Sequence, residues 1–97
     1  MVVNNEKILK SIGETIRKVR EAQGLTQAEL AKSIGLNRNY IWMIERGERN
    51  PSFLSLFKII SGLKMTVPQF FSNFTLWVRN LLFMTYHITI IQVLSMR

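Results

Sequence analysis

An all-α fold of five helices with an apolar C-terminal extension follows from three features of the sequence. Apolar residues recur every three or four positions through residue 71, the period of a helix that buries one stripe. Start and stop residues cut that pattern into short segments: Gly24, Thr26, Gly35, Asn37, Gly47, Pro51 and Thr66. Before residue 80 there is no strand-like signal, and no segment repeats another.

Each helix can be justified in turn. The first spans about Asn5 to Gln23, with Ile8, Ile12, Ile16 and Val19 on one face between Glu, Lys and Arg. Gly24 ends it as a left-handed cap, followed by Leu25 as the apolar residue such caps favour. Thr26 and Glu29 have the spacing of a capping box and open a second helix that runs through Ile34 and stops at Gly35. Asn37 is a suitable N-cap for a third helix reaching Arg46 before Gly47. The turn Asn50-Pro51-Ser52 begins a fourth, with Pro51 suited to its first turn and Phe53, Leu56, Phe57, Ile60 and Leu63 as its apolar residues. Thr66 and Gln69 have capping-box spacing again and start a fifth helix through Phe70 and Phe71.

Composition narrows the function. The 97 residues include no cysteine and no aspartate, and His87 is the one histidine. Disulfides and thiolate chemistry are therefore absent, and the inventory for metal sites or paired-carboxylate catalysis is nearly empty. No catalytic residue, metal ligand or cofactor is expected. A net charge of +7 and a pI near 10.4 point to a polyanionic partner, either nucleic acid or an anionic membrane surface. All six acids lie at or before Glu48. The N-terminus has no signal-peptide pattern, which with the lack of cysteine suits the cytoplasm.

Residues 27–46 carry the pattern of two helices packed at a steep angle. Leu30, Ile34, Leu36, Ile41 and Ile44 are apolar where the core must lie, and Ala31 is small where the helices cross. Gly35 occupies the turn, which requires a positive φ. Together with Gly24-Leu25-Thr26-Gln27-Ala28-Glu29-Leu30-Ala31, Asn39-Tyr40-Ile41 and Ile44-Glu45-Arg46-Gly47-Glu48-Arg49-Asn50-Pro51-Ser52, these residues resemble the lambda repressor/Cro-like helix-turn-helix family, also called the XRE family. The resemblance runs from about Ile12 to Phe71. Within the family, the Arg-Asn-Tyr-Ile and Glu-Arg-Gly-Glu-Arg-Asn-Pro runs look like controller proteins of restriction-modification systems. It implies a five-helix Cro/C1-type domain whose third helix enters the major groove of double-stranded DNA, and whose homodimer reads a two-fold operator.

That docking geometry aims the first turn of the recognition helix at base edges. Arg38 and Asn39 stand there, an Arg able to bridge guanine O6 and N7 and an Asn able to bridge adenine N6 and N7. Trp42 and Met43 follow about one turn along; Met43 can touch thymine methyls, whereas Trp42 replaces the small or polar residue usual in the family and either faces the groove edge or packs on a neighbour. Gln27, at the start of the second helix, is expected to anchor a phosphate, and Asn37, Tyr40, Arg46 and Arg49 are further phosphate candidates. The resemblance also implies a partly buried ion pair between Arg20 and Glu45, which would set a helix angle and take no part in chemistry.

Residues 73–97 form a segment of different character, without Gly, Pro or acid. Phe70, Phe71, Phe74 and Trp77 continue a helical stripe and are expected at a dimer interface, while from Leu81 onwards no polar face remains. Three readings stand: a dimerisation element, a membrane segment over residues 74–96, or a non-native stretch such as a shifted reading frame produces. Phe74 to Met96 is long enough to span a bilayer, but Arg79, Asn80, His87 and Gln92 interrupt it. The domain division is thus 1–72 for the DNA-binding unit and 73–97 for the extension. The alternative function is a membrane-tethered or protein-binding module that uses the same helix-turn-helix domain.

Overall fold

Every expected helix forms, with ends within a residue or two of those read from the sequence. The computed structural model describes residues 4–73. In chain order they form α1 (Asn5–Ala22), α2 (Gln27–Ile34), α3 (Arg38–Glu45), α4 (Phe53–Gly62) and α5 (Val67–Ser72). The expectations for Phe74, Trp77 and the rest of the extension, including the membrane reading of 74–96, lie outside the described residues. Among the described residues no helix is long and apolar enough to cross a membrane.

Side chains close each N-terminus. Asn4, Thr26, Asn37, Ser52 and Thr66 each accept from a backbone N–H of the first turn, and both capping boxes are reciprocal. In α2, Thr26 Oγ1 accepts from Glu29 N–H at 3.0 Å while the Thr26 N–H donates to Glu29 Oε1 at 2.9 Å. One expectation changes at α4. Ser52 is the cap, so Pro51 precedes the helix instead of entering its first turn, and is itself buried.

Four of the five helices end in the same device. After α1, the Gly24 N–H bonds to the Glu21 carbonyl and the Leu25 N–H to that of Arg20. The same paired bonds run from Gly35 and Leu36 after α2, from Gly47 and Glu48 after α3, and from Lys64 and Met65 after α4. This motif needs a left-handed residue, and Gly35 supplies it in the turn of the helix-turn-helix at φ +70. After α4 the position is taken by Lys64 at φ 58, with no glycine to mark it.

The core is built from one stripe of each helix: Ile16 of α1, Leu30 and Ala31 of α2, Ile41 and Ile44 of α3, Ile59 and Ile60 of α4 with Leu63 just after it, and Phe70 of α5. Ile12, Val19, Ile34, Leu36, Tyr40, Leu56, Met65 and Val67 pack around it. One sequence expectation is corrected. Phe70, expected at a dimer interface, is fully buried within the subunit and meets Phe71 edge-on, because the turn through Thr66 directs that ring inward. Phe53 and Phe57, two of the apolar residues read on the fourth helix, are 81% and 50% exposed, since Ile59, Ile60 and Leu63 already fill the inward side of α4.

A close approach of α1 to α3 sets the rest of the site. Gly13 is buried against the end of α3, and a Cβ placed there would run into the carbonyl oxygens of Ile44 and Glu45. Only a hydrogen fits at that crossing. The contact brings the last turn of α1 beside the end of α3, where Arg20 and Glu45 stand.

Candidate nucleic-acid interface

Arg20 and Glu45 form a bidentate pair. Arg20 Nε donates to Glu45 Oε2 at 2.7 Å and Nη2 to Oε1 at 2.9 Å, while Nη1 reaches the Leu25 carbonyl at 2.7 Å. The side chains are 10% and 3% exposed. The hydrogen bond to Glu45 is the main cause that holds the Arg20 guanidinium above its ordinary pKa, against the opposing effect of burial. α1, the turn before α2 and α3 are thus joined at one charged knot, and the helix angle that the pair was expected to set has a geometric basis.

Gln27 belongs to the same knot. Its Nε2 donates to Glu45 Oε1 at 3.0 Å, so the side chain expected to anchor a phosphate also bonds the buried carboxylate. Among the described residues the second amide hydrogen and the carbonyl oxygen of Gln27 have no partner, which leaves them for a ligand at the start of α2. This dual use is invisible in the sequence, where Gln27 and Glu45 are far apart.

α3 presents its outer face from this support. Ile41 and Ile44 are buried, and Arg38, Asn39 and Trp42 are exposed. Arg38 makes no side-chain hydrogen bond or ion pair among the described residues, which leaves its guanidinium donors available. Asn39 lies beside it, its Nδ2 within 3.7 Å of Met43 Sδ and its backbone N–H bonded to Asn37 Oδ1 at 2.7 Å. Asn37 therefore spends its side-chain oxygen on the cap and keeps its amide hydrogens for other partners.

Two arginines that follow the last turn of α3 lie on aromatic rings of that helix. The Arg46 guanidinium carbon is 4.8 Å from the Trp42 ring centroid, and that of Arg49 is 5.3 Å from the ring of Tyr40. Arg46 Nε also donates to Glu48 Oε1 at 2.8 Å. The structure thus brings Arg38, Asn39, Trp42 and Met43 onto one helix, with Gln27, Asn37, Tyr40, Arg46 and Arg49 around it. Trp42, expected among the base contacts, is the platform under Arg46. The i,i+4 spacing of Trp42 and Arg46 was a legible signal for that contact; the Glu48 partner had no comparable one.

A helix whose inner face is core, whose first turn offers Arg and Asn, and whose flanks carry cations has the layout that a DNA-recognition helix requires. A family model described as helix-turn-helix matches residues 16–70, and the chain belongs to that family, of the XRE or Cro/C1 type. It is a family of transcriptional regulators and not of enzymes. Among its relatives, the control protein C.MunI from a Mycoplasma species is 40% identical over 62 residues, covering 63% of this chain and 84% of that protein. The control protein C.SmaI from Serratia marcescens is 36% identical over 62 residues, covering 64% and 74%. Among solved structures, the restriction-modification controller protein C.AhdI from Aeromonas hydrophila superposes with a TM-score of 0.64 at 34% identity, covering 66% of this chain and 97% of that one. The controller protein C.Esp1396I has also been solved as a tetramer with its natural 35 base-pair operator; that structure matches with a TM-score of 0.64 at 39% identity, over 66% of this chain and 84% of that one.

Proposed function

We propose that this protein is a controller-type transcriptional regulator that binds double-stranded DNA sequence-specifically as a homodimer on a two-fold operator. The observation that carries the reading is an exposed Arg38, unengaged among the described residues, beside Asn39 on the first turn of a helix whose opposite face is locked into the core. In this role Arg38 and Asn39 read base edges, Met43 meets thymine methyls, and Gln27, Asn37, Tyr40, Arg46 and Arg49 hold phosphates. The solved complex of C.Esp1396I, a tetramer with its natural 35 base-pair operator, supports an oligomeric assembly on DNA. Two recognition helices about 34–36 Å apart would read half-sites one helical turn apart.

With Phe70 in the core, the dimer surface is assigned to side chains that the subunit leaves exposed. Phe71 of α5 is 41% exposed, and α4 presents Phe53, Leu54 and Phe57 on one face, Phe53 and Phe57 in ring contact. Exposed apolar patches of this kind mark association surfaces. The extension over residues 73–97 adds apolar residues to the same chain, and a cytoplasmic location accords with a DNA-binding role.

Selection of bound sites from a random duplex library tests the reading. A two-fold symmetric consensus is expected, with affinity that falls steeply as salt rises. Binding that ignores sequence and salt would refute it and favour a protein-binding module.

A further inference from the structure

Glu48 places a carboxylate among the cations of this surface. Its backbone is fixed there, because the left-handed turn at Gly47 folds the chain so that the Gly47 N–H bonds the Ile44 carbonyl and the Glu48 N–H bonds that of Met43, each at 3.0 Å. From that position Glu48 Oε1 accepts from Arg46 Nε at 2.8 Å, while the Arg46 guanidinium rests 4.8 Å from the centre of the Trp42 ring. Arg46 and Glu48 are 55% and 44% exposed, so a phosphate oxygen can reach the same guanidinium. Arg49, the neighbouring stacked arginine, has a ring beneath it but no carboxylate among the described residues.

We propose that Glu48 is an internal stand-in for a DNA phosphate: it occupies Arg46 on the Trp42 ring in the free protein and is displaced when the DNA backbone takes its place. The inference rests on the DNA-binding role argued above and adds to it a residue that restrains affinity. A loosely placed phosphate gains little by replacing one anion with another. One set at good distance by the rest of the interface wins the exchange. Glu48 therefore lowers non-specific binding, and Trp42 keeps the guanidinium in position for the exchange.

The test uses the full chain and a duplex of about 20 base pairs of arbitrary sequence, so that only the backbone-driven part of binding is read. Glu48→Gln is expected to tighten binding about two- to fivefold, the scale of an exposed ion pair. It should also steepen the dependence of affinity on salt by up to about 0.9 in log–log slope, one further phosphate neutralised. In an Arg46→Ala background the gain should vanish; in an Arg49→Ala background it should persist. An equal gain in both backgrounds overturns the proposal, since Glu48 would then act only as a negative charge near DNA. Unchanged affinity on Glu48→Gln overturns it as well. Failure of the unsubstituted protein to bind the duplex at all would instead remove the DNA-binding reading beneath it, and the proposal with it.

Discussion

Replacing Arg20 with Met removes the guanidinium from the joint of α1 and α3 but keeps an unbranched side chain that can fill its path. Three hydrogen bonds disappear, two to Glu45 and one to the Leu25 carbonyl. Glu45 is left 3% exposed, with Gln27 as its remaining side-chain partner among the described residues. Breaking a buried pair by deleting one member costs roughly 3–5 kcal/mol, mostly through the orphaned charge. A domain of this size has about 5–15 kcal/mol of stability in total, and a small one falls at the low end. With a urea dependence of about 1 kcal/mol per molar, the unfolding midpoint should drop by roughly 3–5 M, enough to leave the variant largely unfolded. Urea denaturation followed by circular dichroism measures this. The double variant Arg20→Met/Glu45→Leu removes both charges and should recover most of the loss, because apolar replacement of a whole buried pair is often neutral. A single variant that loses less than about 1 kcal/mol would refute the reasoning, as would a double variant no more stable than the single.

Three further outcomes are expected. Lys64→Gly should stabilise the fold by about 0.5–1 kcal/mol, since Lys64 holds a left-handed conformation at the end of α4 that glycine adopts without strain; unchanged or lower stability in the same denaturation assay would contradict this. Hydrogen bonds from the Thr26 backbone and side chain hold the Glu29 carboxyl below its ordinary pKa, so its stabilising contribution is present above the usual glutamate range and is lost as pH falls through the lowered folded value. Glu29→Gln should therefore flatten that part of the acid stability curve, and an identical curve would show that the cap carboxylate is not ionised in this way. Phe57→Glu, which places a charge on the exposed face of α4, should shift a dimer towards monomer in sedimentation without loss of helix content; an unshifted dimer would move the interface elsewhere.

Much of the fold was legible because its signals are local. Caps such as Thr26 with Glu29 and stops such as Gly35 act within four residues, and all five helices followed from them. Lys64 was missed for the same reason: it plays a glycine's part without being one. Facing was harder, because Phe53 and Phe57 look like core residues until Ile59, Ile60 and Leu63 are known to fill the inward side of α4. Phe70 went the other way, read as interface and found in the core. In the site, the Arg20–Glu45 pair was implied by the family pattern, but the engagement of Gln27 with that pair depends on a crossing that Gly13 permits. Residue spacing along one helix can reveal Trp42 beside Arg46. The hold of Glu48 on Arg46 arises from a turn, and only the folded chain shows it.

In the proposed function the first turn of α3 reads sequence. The most direct test is the affinity of the unsubstituted protein and of Arg38→Ala for the selected operator and for an unrelated duplex at one fixed salt concentration. Arg38→Ala is expected to lose about 1–3 kcal/mol of preference for the operator, roughly fivefold to 150-fold, while binding the unrelated duplex nearly as before. Equal weakening on both duplexes would make Arg38 a phosphate contact. An operator preference that survives intact would contradict the assignment of this helix as the reader.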